Sequence, residues 1–306
     1  MRAVIVDHSA SGGLVLSEVP EPVPLPSEAL VRVAAVSLNL GEVRRAKNAE
    51  NGWRPGWDVA GTVERAAADG SGPRQGAPVV GMRDFGAWAE LAAVGTDRLA
   101  VVPPGVSFER AATLPVAGLT ALWALEKRGS LLNRRVLVTG ATGGVGIFAT
   151  QLARLGGAHV TALVHHEEKR AVVAPYADAV VVGDADLDEA SFDIVLESVG
   201  GAVFAGAVRA LAADGVLVTY GTSADRSSTI EVAPFYVRGG CSVYGFYLFH
   251  ELRTRSGSDG LARLAALLQA GKLDVHVDAT MPADKIAAAV DLLWTRRVTG
   301  KMVVTF

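Results

Sequence analysis

The 306-residue chain has one cysteine, Cys241, which excludes an internal disulfide and any cluster of cysteine zinc ligands. It fits a reducing setting, and Cys241 is expected to be a small core residue. Charge of one sign is also lacking. The formal net charge is -3, charged residues make up 20% of the chain, and no run of Lys or Arg exceeds a pair, so the electrostatic footprint of a nucleic-acid binder is missing. Apolar stretches are broken by charge or glycine well before the roughly 18 to 20 residues that a bilayer crossing needs. The opening "MRAVIVDHSAS" has neither the basic start, the apolar middle nor the small-residue cleavage site of a secretory signal. These absences lead to the expectation of a cytoplasmic protein with a small-molecule partner, and with neither nucleic acid nor membrane as a partner.

What is present is enough apolar material, 50% of the residues, for the cores of two domains. Helix signals are sparse in the first hundred residues, where short Val and Ala runs alternate with turn residues as in an all-β domain. Pro20, Pro22, Pro24 and Pro26 fall at every second position and predict an extended entry into a strand. Strands are expected at Trp57 to Glu64, Pro78 to Val80 and Trp88 to Val94. The pattern then changes: Ser107 can cap a helix, and Pro115 interrupts the next apolar stretch. From Arg135 onward six apolar runs, "RVLVT", "HVTALV", "DAVVV", "DIVLES", "VLVTY" and "SVYGFYL", alternate with helix-like segments. Such runs imply a parallel sheet covered on both faces, a doubly wound α/β nucleotide fold. Two helical patterns, "GLARLAALLQAGKL" and "DKIAAAVDLLWTRR", and a last strand "GKMVVTF" close the chain. The expected organisation is a mostly β catalytic domain over 1–107, a nucleotide domain over 108–250, and a segment 251–306 that returns to the first domain.

The stretch "LVTGATGGVGIFATQLARLGGAHVTALV" reads as strand, glycine turn, helix and strand. A helix beginning directly after a buried strand offers unpaired N–H groups and the positive end of its dipole to a pyrophosphate. Gly143 and Gly144, with Val145, would let the backbone approach phosphate oxygens, and Gly146 would let the helix lie against the strand. The spelling fits the T-G-x-x-x-G-x-G pattern of short-chain dehydrogenases and the A-x-x-G-G-V-G pattern of medium-chain reductases alike. The first is set aside, because about 135 residues precede the turn and no tyrosine has a lysine four positions later.

The order of "EVPEPVPLPSEALVRVAAVSLN", "PGWDVAGTV", "FGAWAELAAV", "VPPGVSFERAATLPVAGLTALWAL", the glycine turn, "DIVLESVGG" and "GKMVV" resembles the medium-chain dehydrogenase/reductase superfamily, in particular its zinc-free quinone oxidoreductase and enoyl reductase branch. That resemblance implies a GroES-like first domain joined to a Rossmann domain. It also implies hydride transfer from NADPH to a conjugated acceptor such as a quinone, an enone or an enoyl thioester. A metal-free carbonyl reductase and a catalytically silent NADPH-binding regulator are the alternatives. "SLNLGEV" and "GWDVAG" stand where zinc-dependent relatives carry ligands, and the first domain holds only His8 beyond them, so no catalytic metal is expected.

By the same resemblance Asn39 stands near nicotinamide and substrate, while the residues alone also permit a capping box with Glu42. Arg44 occupies the place of a tyrosine in many relatives and could hold an oxyanion. Trp53 and Trp57 could wall a flat apolar pocket, and Asp58 is expected to support a turn. For the cofactor, His165 replaces the acidic residue that NAD enzymes place after the second strand. Lys169 matches the lysine of NADPH-dependent relatives, and His166 and Arg170 are further candidates for the 2′-phosphate. Thr120, Ser198, Gly221, Phe246 and Lys301 are further implied contacts. The last strand of the nucleotide domain is expected to pair two copies as a homodimer.

Overall fold

Residues that alternate between apolar and polar at period two build the amino-terminal half into short strands. In the computed structural model, which describes residues 1–183, 187 and 189–306, β1 (Arg2–Val6) and β2 (Leu14–Glu18) form an antiparallel pair. Then follow β3 (Glu28–Ser37), helix α1 (Leu40–Lys47), β4 (Asp58–Arg65), β5 (Pro78–Met82), β6 (Leu91–Gly95), β7 (Leu99–Val101) and the short helix α2 (Phe108–Ala111). Ser107 caps α2, accepting from the Arg110 N–H at 3.4 Å. After it, Leu114–Gly118 forms an i→i+5 turn in which the Leu119 N–H reaches the Leu114 carbonyl, a wide turn that frees local backbone donors.

The middle of the chain contains α3 (Leu119–Leu125), β8 (Arg135–Val138), α4 (Gly144–Leu155), β9 (His159–Val164), α5 (Arg170–Val173), β10 (Ala179–Val182) and β11 (Phe192–Glu197). It continues through α6 (Gly201–Arg209), β12 (Leu211–Thr219), α7 (Val232–Val237), β13 (Ser242–Gly245) and α8 (Leu248–Glu251). The last stretch supplies α9 (Gly257–Gln269), β14 (Val277–Pro282), α10 (Ile286–Trp294) and β15 (Lys301–Thr305).

Two compact units result: Met1–Leu119 with Leu252–Phe306, and Thr120–Glu251. Segment 108–119 therefore packs in the first unit rather than with the nucleotide domain, held in part by the Val116 N–H, which donates to Asp58 Oδ1 at 2.9 Å.

In the second unit the six strands are all parallel, in the order β10-β9-β8-β11-β12-β13. Chain order reverses beside β8, the switch point at which doubly wound sheets bind ligands. The sixth strand ends at Gly245, earlier than the apolar run "SVYGFYL" suggests, and the chain becomes helical again at Leu248.

The first unit contains a mixed sheet in the order β14-β15-β3-β4-β5-β7, with β6 also paired to β3. Its core includes Val4, Val31, Val36, Val59, Trp88, Ile286, Met302 and Val304. Residues from both ends of the chain thus share one core. β14, which sequence patterning misses, is an edge strand with alternating half-buried and exposed residues. Among the described residues no helix is long and apolar enough to cross a membrane.

Candidate active site

Two constellations carry chemistry, one in each unit. In the second unit, strand β8 runs through Thr139 into Gly140, whose φ of 56° lies in the region that favours glycine. Gly143 then precedes α4 with no side-chain cap, so the first-turn N–H groups face away from any covering side chain. A Cβ on Gly146 would overlap the Gly140 carbonyl oxygen and the Ala141 backbone, whereas one on Gly143 would sit 3.2 Å from that oxygen. Gly146 is thus required by packing, and Gly143 is an exposed backbone surface. Gly144 and Val145 are half-buried in the first turn. This bare cradle at a helix N-terminus fits the pyrophosphate of a dinucleotide.

The carboxyl ends of β8, β11 and β12 are tied together beside it. Glu197 is fully buried, and its Oε1 accepts the N–H groups of Val199 and Gly200 at 2.6 and 2.8 Å. Its Oε2 accepts the Thr219 hydroxyl at 3.3 Å. Burial raises this carboxyl above the usual glutamate range, against the pull of those donors. Ser198 donates its N–H to Thr139 Oγ1 at 3.1 Å. A Cβ on Gly140 would come 2.9 Å from Ser198 Oγ, and one on Gly221 3.2 Å from the Ser198 carbonyl. The sheet therefore brings Gly140, Ser198 and Gly221 to one place. Thr120 and Phe246 are buried, Phe246 joining through its N–H to the Thr219 carbonyl at 2.8 Å.

After β9, the rings of His165 and His166 lie 4.1 Å apart, and Lys169 ends the short turn Glu167–Lys169. Arg170 is held locally. Its Nε is 2.6 Å from Glu167 Oε1, and its Nη1 donates to the Val180 carbonyl at 2.9 Å.

In the first unit the sheet order places the end of β3 between the starts of β15 and β4. Asn39, just beyond β3, thereby meets Lys301, the first residue of β15, and Asp58, the first of β4. Lys301 Nζ donates to Asn39 Oδ1 at 2.6 Å and to the Leu38 carbonyl at 3.0 Å, and lies 3.7 Å from Asp58 Oδ2. Asn39 Nδ2 donates to Asp58 Oδ2 at 2.8 Å and to Glu42 Oε1 at 3.1 Å. Glu42 Oε1 also accepts the Asn39 N–H at 2.7 Å, as a capping partner does. Of the two readings of Asn39, the geometry shows the cap on α1, and it adds a place in a buried ionic cluster.

Glu42, Asp58 and Lys301 are all buried, and one ammonium faces two carboxyls. Glu42 Oε2 has no hydrogen-bond partner among the described residues. Burial, and then the neighbouring Asp58 charge, push Glu42 well above the glutamate range, which makes Glu42 the readier of the two carboxyls to hold a proton. Burial raises Asp58 as well, but Lys301, Asn39 and the Val116 N–H oppose that rise. Lys301 is lowered by burial. The expectation that Asp58 merely supports a turn is corrected. It opens a strand from a fully buried position, accepts from Asn39 and Val116 and is paired with Lys301, partners that an uncovered turn residue would leave to water.

Arg44 is half-buried on α1. The tryptophans lie along one face of α1, since Gly41 and Arg45 are four apart. A Cβ on Gly41 would come 2.7 Å from the Trp57 ring, and the Arg45 guanidinium lies 5.0 Å from the Trp53 ring centre. Trp57 Nε1 donates to the Asp84 carbonyl at 3.1 Å. Trp53 lines a depression of about 540 Å³ with Arg45, Asn48 and Glu50. Among the described residues no three His, Cys, Asp or Glu side chains are grouped to hold a metal.

Sequence reading missed Glu197 and the joining of Glu42, Asp58 and Lys301. A usable signal was present: Asp58 and Lys301 each open a strand that is otherwise apolar, and such charges must be paired on folding.

Residues 170–304 match a family model described as zinc-binding dehydrogenase. The chain is 31% identical over 317 residues to prostaglandin reductase-3 of Bos taurus, spanning 92% of this chain and 83% of that protein. It is 38% identical over 180 residues to the chloroplastic quinone-oxidoreductase QR1 of Triphysaria versicolor, a match that spans 53% of this chain and only 55% of that protein. The solved structure of mycobacterial Rv1454c complexed with NADPH superposes over 100% of both chains with a TM-score of 0.87 at 25% identity. With its parallel nucleotide sheet, its glycine turn and these relatives, the chain belongs to the medium-chain dehydrogenase/reductase superfamily, in the zinc-free quinone oxidoreductase and enoyl reductase branch.

Proposed function

We propose that the protein is an NADPH-dependent oxidoreductase that passes a hydride to a conjugated acceptor of the quinone, enone or enoyl class without a metal. The observation that carries the reading is the glycine turn. Gly146 packs without a Cβ against the Gly140 carbonyl, and the uncapped start of α4 follows the central strand of a parallel sheet. Gly143, Gly144 and Val145 would hold the pyrophosphate, with Thr120, Ser198, Gly221 and Phe246 as the further contacts. NADPH supplies the hydride when bound.

For the 2′-phosphate, His165, His166 and Lys169 are the groups that support NADPH over NADH. Arg170 contributes by fixing Glu167, because its guanidinium already has two partners. In the first unit Asn39 acts as a positioning residue that keeps Lys301 and Asp58 in register, and Lys301 works through that cluster. Trp53 and Trp57 supply flat apolar surface for the acceptor. Arg44 stands on α1 as a candidate oxyanion donor. Among the described residues no three His, Cys, Asp or Glu side chains are grouped to hold a metal, and a conjugated carbon needs no Lewis acid to accept hydride.

A homodimer through β13 is part of the same reading. Val243 on that edge strand is 42% exposed, and Tyr236 and Val237 on the neighbouring α7 are 67% and 73% exposed. Such an edge needs covering. Sedimentation of wild type and Val243→Lys tests it, with a dimer expected for the first and a monomer for the second; a monomeric wild type overturns it.

The activity is tested by following NADPH oxidation with a panel of quinones, enones, enoyl thioesters and saturated ketones. Turnover of the conjugated members alone is the expected result. Turnover of ketones alone marks a carbonyl reductase, and binding without turnover marks a regulator.

A further inference from the structure

Arg54 and Arg83 are two cations of the first unit that the constellations above leave unused. Arg54 precedes Pro55 and Gly56, whose carbonyls accept the N–H groups of Trp88 and Ala87 at 3.2 and 3.1 Å, so its segment is bonded to the chain that follows Arg83. Its side chain runs over Gly86, where an added Cβ would lie 3.8 Å from Arg54 Cβ and 4.0 Å from Nε. Nε and Nη2 of Arg54 are buried and have no hydrogen-bond partner among the described residues. These two nitrogens form one edge of the guanidinium. Its parallel N–H vectors match the paired oxygens of a carboxylate or phosphoryl group.

Arg83 is close by. Burial and then the Arg83 charge hold Arg54 below the usual arginine range, and burial lowers Arg83 as well. Two like charges gathered where water is partly excluded repel each other, and unmade hydrogen bonds of a buried charge are costly. An anion removes both penalties. The carboxylates of Glu28 and then Asp84 oppose the lowering of Arg83 without cancelling it, and Asp84 Oδ1 is taken up by Arg98 at 2.7 Å. Arg83 itself lies against Phe85, 5.8 Å from the ring centre.

We propose that Arg54 and Arg83 form an oxyanion site that takes an acidic group, carboxylate or phosphoryl, of the electron-accepting substrate. The link to the acceptor rests on the reductase reading: Trp57, the expected wall of the acceptor pocket, donates to the Asp84 carbonyl beside Arg83. The site itself rests only on the two arginines.

The test uses the full chain and has two readouts. The thermal midpoint is measured with sodium benzoate, with inorganic phosphate and with sodium chloride at matched ionic strength, for wild type, Arg54→Gln and Arg83→Gln. A saturable rise with benzoate or phosphate, absent with chloride and lost in Arg54→Gln, is expected, and whichever anion gives it identifies the source of the oxygens. No rise beyond chloride, or an equal rise in Arg54→Gln, overturns the site. Should Arg54→Gln fail to fold, Arg83→Gln decides alone, a weakened rise supporting the site and an undiminished one overturning it. The second readout compares KM for 4-oxopent-2-enoate and its methyl ester. A lower KM for the acid is expected, with the preference shrinking by about tenfold or more in either variant. If anions shift the midpoint and neither enone is reduced, the site stands and the reductase reading fails. If both enones are reduced equally and no anion shifts the midpoint, the reading stands and the site fails.

Discussion

Lys301 Nζ sits 2.6 Å from Asn39 Oδ1 and 3.7 Å from Asp58 Oδ2, with only 4% of its side chain and none of Asp58's exposed. The carboxamide thus stands between the ammonium of β15 and the carboxylate of β4, with its two ends matched to opposite charges. Replacing Asn39 by Ala removes hydrogen bonds from two buried charged groups at once. A loss of about 3 kcal/mol is expected from denaturant unfolding, and Asn39→Asp, which adds a third carboxyl, should be no better. A change within about 0.5 kcal/mol would show that the cluster does not hold the strands in register.

Glu42 gives the fold a pH dependence whose sign can be worked out. Burial and the Asp58 charge raise its folded pKa above the ordinary 4.5. Its contribution is therefore complete below 4.5 and is lost as pH rises toward the folded value, since the unfolded chain releases a proton that the folded chain retains. Relative to Glu42→Gln, wild type should lose up to about 1.4 kcal/mol per pH unit across that window. Parallel stability curves for the two proteins from acid to neutral pH would contradict the assignment.

Gly146 and Gly143 should respond differently to alanine. The Cβ at Gly146 meets the Gly140 carbonyl and must displace the turn, while that at Gly143 would sit 3.2 Å from the same oxygen, a tight contact that a shift of a few tenths of an ångström relieves. Gly146→Ala is expected to cost about 1–3 kcal/mol and to weaken NADPH binding, measured by nicotinamide fluorescence, by about tenfold or more. Gly143→Ala should cost clearly less stability than Gly146→Ala and still lose affinity, because its Cβ is tight against that oxygen without overlapping it and its place is exposed. Equal effects at both positions would remove the distinction between packing and approach.

For cofactor choice, Lys169→Glu should raise KM for NADPH by roughly one to two orders of magnitude and leave NADH little changed, as loss of a charge-assisted contact to a phosphate implies. Arg170→Ala should lower stability slightly through its bonds to Glu167 and Val180. Tight binding of NADH by wild type would end the role given to Lys169.

Much of the nucleotide half was legible in the sequence, because buried parallel strands are apolar on both faces and the glycine turn stands between two of them. Its six strands follow the six apolar runs, with ends that shift where side-chain pattern cannot report hydrogen bonding: β12 begins five residues before its run, and β13 stops three short of its own. The first unit was less legible. Its sheet joins β3 to β15, more than 260 positions away for the Leu38–Lys301 bond, and no local pattern encodes that pairing. Hence Asn39 was readable as a cap and as a family-like site residue, while its meeting with Lys301 and Asp58 was not. β14 escaped because one of its faces is exposed and Pro282 ends it. Arg54 and Arg83 gave no signal at all, since 28 intervening residues separate them and each reads as an ordinary surface cation.

The central claim is hydride transfer from NADPH to a conjugated acceptor. Its most direct test is transfer of deuterium from 4-deuterated NADPH, in separate preparations of each label face, to an enone, a quinone and a saturated ketone. The account predicts label on the β-carbon of the enone from one face only, quinone-dependent NADPH oxidation, and no label in the ketone. Tight NADPH binding with no transfer to either conjugated acceptor, or label in the ketone alone, would contradict it.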